Sequence, residues 1–300
     1  MTAVAKGSAS GGRRLLGELR AQLAIDRTGL GRFRRSGWPW KVAALCVVAG
    51  MFWWGWGEGT VTAWQIFTGG YLPSTQWTEA AIPGLILLSL HKLAVTAVAI
   101  SIIVAVRRVV PRSGVQRATW RAFSRTFFVA TAIVFLGIGA LAVISRVVGG
   151  ASYPHPEIPG GWTVFWYAVN GALAGPSEEL ALMCLVVVLL RRTGFSWTWV
   201  AVVAVVVRVP FHMYYGWGAL GLAVWAALIV LLYRRTGLVW PIVLEHSVWN
   251  LLAVPEWSAL GAIVKIAIVL IGVLIVLSLL LKRIGGRSLR EVFRPSSRAA

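Results

Sequence analysis

Two adjacent carboxylates, Glu178 and Glu179, stand in the middle of a long apolar run, shortly before the ten uncharged residues ALMCLVVVLL. Further along the chain, His212 and the stretch HSVWN, from His246 to Asn250, interrupt two other apolar runs. Carboxylate and imidazole groups often transfer protons, and an amide can donate a hydrogen bond to a developing negative charge. Charged groups at the centre of a bilayer cost about 2.5 to 17 kcal/mol, so residues of these types indicate function.

The composition indicates an integral membrane protein. Of the 300 residues, 58% are hydrophobic and 13% are charged, with a mean hydropathy of +0.77, a balance that a soluble domain could not cover with polar surface. Cys46 and Cys184 both lie in apolar runs, which leaves neither a disulfide framework nor a cysteine zinc site.

Segments of about 20 mostly apolar residues can cross a bilayer as helices. By that measure the sequence predicts an all-α, polytopic bundle of about eight transmembrane helices, at 40–57, 82–106, 122–147, 162–190, 197–214, 217–233, 238–254 and 259–281. The bundle as a whole covers 38–283. A basic N-terminal segment, 1–37, precedes it as a surface amphipathic helix or a solvated tail, and a basic tail, 284–300, follows it.

The basic residues predict the orientation of the bundle. With a cytoplasmic N-terminus, all of the 29 Lys and Arg residues except Lys92, Arg146, Arg208 and Lys265 fall on the cytoplasmic side, where positive charge is favoured. We therefore expect both termini in the cytoplasm and a multi-pass protein of the cell membrane. The net charge of +19 is explained by the lipid bilayer, without nucleic acid as a partner.

The polar residues inside the spans share one depth. Counted at 1.5 Å per residue from the cytoplasmic arginines of each helix, Glu178, His246, Asn250 and Arg208 lie about 20, 16, 22 and 24 Å into the membrane, and His212 lies one turn beyond. Positions four apart share a helix face, which predicts that Arg208 and His212 point together and that His246 and Asn250 do as well.

The two glutamates are expected to differ, because about 100° of helix rotation separates neighbouring residues. One of the two should face the histidines, while the other pairs with a cation, for which Arg208 is the nearest candidate by depth. Single residues also have structural interpretations: His246 or Asn250 could hydrogen-bond between helices, and Glu245 could pair with Lys265 or face the cytoplasm. Two carboxylates, two histidines and an asparagine at one depth favour a site.

These residues resemble the CAAX protease and bacteriocin-processing family of intramembrane proteases, over about 162–254. That family shows a Glu-Glu pair followed four residues later by Arg, then Phe-x-x-x-His, then His-x-x-x-Asn. The pair at Glu178, the histidine at His212 and the stretch HSVWN match these elements. Two positions depart from the pattern, because Met183 replaces the arginine and Arg208 replaces the phenylalanine. The positive charge is therefore expected to have moved to another helix and to hold Glu179.

The resemblance implies hydrolysis of a peptide bond in a membrane-associated or lipidated peptide. Glu178 would be the general base for a water that His212 also holds, and His246 and Asn250 would stabilise the oxyanion. Members of the family have also been described as metalloproteases, and Glu178, His212 and His246 could provide three zinc ligands. The cofactor is accordingly expected to be none or Zn²⁺.

Two functions of other classes compete with this one. A transporter could use intramembrane Glu and His residues as a proton relay, although the sequence has no inverted repeat. A non-catalytic immunity or scaffold protein of the same family would bind a membrane partner, and the missing arginine at Met183 keeps this alternative open.

The orientation can be tested with Lys6→Cys and Arg298→Cys, each made in a chain whose two native cysteines are replaced. Because both positions are expected in the cytoplasm, a membrane-impermeant maleimide should label them only after the cells are permeabilised. Labelling of either cysteine in intact cells would contradict the predicted orientation.

Overall fold

The computed structural model describes residues 37–70, 79–108, 119–149, 160–254 and 258–285. Throughout these ranges the chain forms helices and short turns and no strand, which confirms the predicted all-α class. The predicted N-terminal amphipathic helix and most of the basic C-terminal tail lie outside the described residues.

The described residues form nine α-helices. They are α1 (Trp38–Phe67), α2 (Ile82–Arg108), α3 (Trp120–Val148), α4 (Gly161–Glu178), α5 (Val186–Arg192), α6 (Trp197–Val206), α7 (Leu222–Thr236), α8 (Trp240–Leu251) and α9 (Ser258–Gly285). Three further helical elements are not α-helices. They are a 3₁₀ turn (Glu79–Ala81), a π-helical segment (Glu179–Leu185) and a 3₁₀ segment (Pro210–Gly221).

Five stretches of the described residues are long and apolar enough to cross a membrane. They are Ile82–Val106, Trp120–Val148, Gly161–Arg192, Pro210–Thr236 and Leu260–Ser278. They make the chain a multi-pass membrane protein. Helices α6 and α8 have 10 and 12 residues and are too short to cross alone. Each of the eight predicted positions therefore contains helical structure, while the number of complete crossings stays a prediction.

The predicted spans 197–214 and 217–233 have wrong boundaries. Helix α6 ends at Val206, because Pro210 has no N–H to continue the α-helical ladder, and the chain goes on as a 3₁₀ segment. Within that segment Gly216 has φ 65° and ψ −150°, a conformation that only glycine adopts readily. The break places Arg208 in a turn and His212 in the 3₁₀ segment, so the expectation that they share an α-helical face does not apply.

The stretch Gly161–Arg192 forms the centre of the bundle. In its most apolar window 89% of the residues are buried, compared with 17% to 56% in the other four stretches. A helix that is apolar on all sides is stable where neighbours surround it. The glutamate pair thus lies in the interior of the protein rather than in contact with lipid.

A proline opens the backbone of this central stretch just before the glutamates. Pro176 has no N–H, so the carbonyl of Ala172 loses its usual intrahelical donor. The hydroxyl of Ser247 in α8 donates to that carbonyl at 2.7 Å. Three residues after the proline the helix widens into the π-helical segment, a form that is frequent at functional sites.

Two glycines let α4 and α8 approach closely. Gly171 and Gly175 are four residues apart, the spacing at which small residues bring membrane helices together. A Cβ atom at Gly175 would collide with the Ser247 hydroxyl and the backbone oxygen of Val243, and one at Gly171 would lie 3.7 Å from the Cβ of Asn250. This close packing brings the glutamate pair of one helix to His246 of the other.

Gly175→Ala should therefore destabilise the protein by about 1 to 3 kcal/mol, since the new methyl group meets a backbone carbonyl that cannot move aside. Gly139→Ala in α3 is the matched control, because a Cβ atom there meets nothing within 4 Å. Thermal unfolding of the two purified variants in detergent measures the difference. Equal melting temperatures would show that α4 and α8 are not held at this distance.

Candidate active site

Glu179 is the most completely enclosed group of the site. Its side chain has no exposed surface, and its Oε1 accepts a hydrogen bond from Nη1 of Arg208 at 2.8 Å. The same oxygen lies 2.8 Å from Nδ1 of His246. One carboxylate oxygen thus joins the central stretch to the turn after α6 and to α8.

Arg208 provides the positive charge of the site from a turn. It is 2% exposed, its Nη2 donates to the backbone oxygen of Glu178 at 3.4 Å, and its guanidinium lies 4.2 Å from the ring centre of Trp225. Met183, where the family pattern has arginine, is buried among apolar residues. The cation that faces the glutamates therefore comes from a different element than the family pattern predicts.

Both glutamates face the same cluster, and the expectation that only one could do so is wrong. Oε2 of Glu178 lies 3.7 Å from Nη1 of Arg208 and 3.9 Å from Nε2 of His246. The imidazole of His246 therefore has one nitrogen toward each carboxylate. The helix changes to π-type at Glu179, and glutamate side chains are long enough to converge on groups that approach from other helices.

The two glutamates nevertheless have different environments. Oε2 of each glutamate is buried and has no hydrogen-bond partner among the described residues. A buried acceptor of this kind is costly unless water or a ligand reaches it. Oε1 of Glu179 is held by two short contacts and its side chain has no exposed surface, whereas 10% of the Glu178 side chain is exposed. Glu178 is thus the carboxylate of the pair that a reacting group can reach.

Contacts at one nitrogen orient each histidine. Nδ1 of His212 lies 2.9 Å from the backbone oxygen of Arg208, and because a carbonyl can only accept, Nδ1 carries the hydrogen. Nδ1 of His246 donates in the same way to Glu179. In both neutral rings Nε2 is then the acceptor. His212 lies within electrostatic range of Glu178, Arg208 and His246, which places it in the same cluster.

Asn250 makes no hydrogen bond to either carboxylate among the described residues. It is partly buried, one turn beyond His246 on α8, and it faces α4 at Gly171. The structure thus brings Glu178, Glu179, Arg208, His212 and His246 together, and it places Asn250 against Gly171, one turn beyond His246.

Two residues near the site were not singled out as site residues from the sequence. Trp225 packs edge-on against His246, with ring centres 5.2 Å apart, and also lies under the guanidinium of Arg208. The second residue is Lys92 of α2. Its Nζ donates to the backbone oxygen of Asn170 at 2.9 Å and to Oδ1 at 2.7 Å, and it lies within electrostatic range of Glu178. The charge of Lys92 inside an apolar span is a feature by which the sequence could identify it. Trp225 has no such feature, because it is one of 17 tryptophans.

Glu245 and Lys265 make no hydrogen bond or ion pair with this cluster among the described residues, although Glu245 lies within electrostatic range of Glu179. They line a small space between α3, α8 and α9, together with Trp249 and other mostly apolar residues. Neither oxygen of Glu245 has a hydrogen-bond partner among the described residues, and Lys265 lies 4.8 Å from the ring centre of Trp249. The expected contact between Glu245 and Lys265 is therefore a shared cavity rather than a close ion pair.

The residues do not fit a zinc site. Among the described residues no group of three His, Cys, Asp or Glu side chains is arranged to hold a metal ion, and this includes Glu178, His212 and His246. The expectation that these three residues bind zinc is not supported.

The fold and the site together define a polytopic membrane protein with a buried cluster of acid and base groups. Residues 160–252, about a third of the chain, match the family model described as Rce1-like, type II CAAX prenyl endopeptidase. The match confirms the resemblance drawn from the sequence, and it supports membership of the chain in the CAAX protease and bacteriocin-processing family of membrane-embedded proteases. The chain has no match among curated proteins and none among solved structures.

The contact between Glu179 and Arg208 can be tested with a double-mutant cycle. Removing one partner of a buried ion pair typically costs about 3 to 5 kcal/mol, because the other charge is left uncompensated, and removing both costs much less. Glu179→Gln and Arg208→Met should each lower the free energy of unfolding, and the double variant should recover part of the loss. Additive losses, measured by unfolding in detergent, would show that the two groups do not stabilise each other.

Proposed function

We propose that the protein is an intramembrane endopeptidase that hydrolyses a peptide bond of a membrane-associated or lipidated peptide. One observation carries this proposal: Glu178 is the glutamate of the pair whose side chain keeps some exposed surface, and its Oε2, which has no hydrogen-bond partner among the described residues, faces Arg208 and His246. The family match at residues 160–252 supports the reaction class.

In the proposed reaction Glu178 takes a proton from a water molecule while the hydroxide oxygen bonds to the carbonyl carbon of the substrate. The carbonyl oxygen becomes an oxyanion. When the carbon–nitrogen bond breaks, the proton on Glu178 passes to the departing nitrogen. The products are a carboxylic acid and an amine, and Glu178 returns to its starting state.

The other groups position water and substrate. Nε2 of His212 is an acceptor, since Nδ1 donates to the backbone, and it is proposed to hold the attacking water with Glu178. His246 and the amide of Asn250 are proposed to face the oxyanion. Glu179 and Arg208 position the reacting groups, because Glu179 contacts His246 and Arg208 contacts both Glu179 and the backbone oxygen of Glu178.

Arg208 is proposed to replace the arginine that the family pattern has at the position of Met183. The non-catalytic alternative rests on the missing arginine at Met183. Arg208 reaches both carboxylates from the turn after α6. Arg208 can thus supply the positive charge of the family pattern, which supports the catalytic function over the non-catalytic alternative.

Glu178→Gln should abolish cleavage and leave the fold intact, since it removes the proton acceptor but keeps the shape of the side chain. The measurement is mass spectrometry of a panel of farnesylated and unmodified membrane peptides, incubated with the purified chain in proteoliposomes. Glu58→Gln, an exposed position on α1, is the matched control and should cleave as the wild type does. Equal cleavage by Glu178→Gln and the wild type would overturn the proposal.

A further inference from the structure

Two arginines from different helices meet on one indole ring at the end of the central stretch. The guanidinium carbon of Arg191, in α5, lies 4.8 Å from the ring centre of Trp197, and that of Arg234, in α7, lies 4.9 Å from it. Next to them, Nζ of Lys41 lies 5.8 Å from the ring centre of Phe195. Three cations from α1, α5 and α7 are thus gathered around two aromatic rings.

The two guanidinium groups repel each other in this arrangement. Arg191 is close enough to Arg234 for a direct electrostatic interaction between like charges. Contact with the tryptophan face compensates part of this repulsion, by roughly 0.5 to 2 kcal/mol for a cation on an aromatic ring. Nη1 of Arg191 also donates to the backbone oxygen of Phe195, which holds its guanidinium beside Trp197. A negatively charged group between the two arginines would be attracted by both charges, and the planar guanidinium matches the oxygens of a phosphate.

The position of the cluster suits the headgroup layer of a membrane. Arg191 lies about 22 Å from the midpoint of the 32-residue stretch Gly161–Arg192, at 1.5 Å per residue. The hydrocarbon core extends only about 15 Å from its centre. Arg191 therefore lies beyond the hydrocarbon, at the level of lipid phosphates, and the exposed Trp38, Trp40 and Trp199 near the ends of α1 and α6 are suited to the same interface.

We propose that Arg191 and Arg234, seated on Trp197 with Lys41 beside them, form a binding site for a phosphate group, which an anionic phospholipid headgroup of the cytoplasmic leaflet supplies. The site is separate from the glutamate cluster and does not depend on the proposed reaction. Its occupant would tie α1, α5 and α7 together at the membrane surface, on the cytoplasmic side that the basic residues predict.

The experiment uses the full chain, purified in detergent and depleted of lipid, with dioleoylphosphatidylglycerol as the probe and dioleoylphosphatidylcholine as the neutral reference. Native mass spectrometry of the bound lipid gives the dissociation constants. Arg191→Gln with Arg234→Gln should weaken phosphatidylglycerol binding at least about tenfold, the effect of losing one charge-assisted hydrogen bond or more. The double variant Arg191→Lys with Arg234→Lys should bind phosphatidylglycerol more weakly than the wild type and more tightly than the glutamine pair, because the charge remains but the planar donors are lost.

The matched control is Arg121→Gln with Arg125→Gln, the same change of charge at exposed positions of α3 near the same predicted side. It should bind phosphatidylglycerol as the wild type does. A binding loss in the control equal to that of the Arg191 and Arg234 variant would overturn the proposal, as would unchanged binding in the latter. Melting temperatures without lipid identify a variant that fails to fold. If the glutamine pair fails to fold, the affinity of the lysine pair for phosphatidylglycerol decides: weaker binding than in the wild type supports the proposal, and equal binding overturns it.

A separate arm distinguishes the source of the phosphate. If inorganic phosphate binds the wild type as tightly as phosphatidylglycerol does, the ligand is a soluble phosphate and the lipid assignment is wrong. If phosphatidylcholine binds as tightly as phosphatidylglycerol, the site does not select an anionic headgroup and the proposal fails. Preference for phosphatidylglycerol that is lost in the glutamine pair supports it.

Discussion

A carboxylate in the interior of a bilayer is stable only where a cation or hydrogen-bond donors reach it, and in this protein the contact of Glu179 with Arg208 meets that requirement. The pair is almost completely buried, so water cannot take the place of either partner. Three elements must therefore meet at one carboxylate oxygen: the central stretch, the turn after α6 and, through His246, helix α8. The relative positions of these elements follow from that one contact.

Several irregular features of the chain allow this meeting. Pro210 ends the α-helical ladder after α6 and leaves Arg208 in a turn from which its side chain reaches inward. Gly175 removes the side chain that would separate α4 from α8, and Ser247 satisfies the carbonyl that Pro176 leaves without a donor. Each feature would weaken a regular helix. Together they bring polar side chains to one place.

The charges inside the described spans are arranged in a complementary way. Glu178 has Lys92 of α2 within electrostatic range, Glu179 has Arg208 in contact, and Glu245 shares a cavity with Lys265 of α9. Two of these cations, Lys92 and Lys265, come from outside the segment that matches the family model. The helices that flank this segment thus contribute to the electrostatics of its buried acids, and their role extends beyond contact with lipid.

The sequence by itself determined the membrane class, the approximate positions of the helices and the common depth of the polar residues, because apolar length and distance along a helix are properties of the chain alone. It also suggested Arg208 as the cation for Glu179, since the two lie at similar depth. Only the tertiary structure decided that both glutamates reach His246, that Asn250 lies against Gly171 of α4, and that α6 ends before Arg208. These outcomes depend on how separate helices are rotated and packed against one another. Periodicity within one helix carries no information about the side chains that its neighbours present.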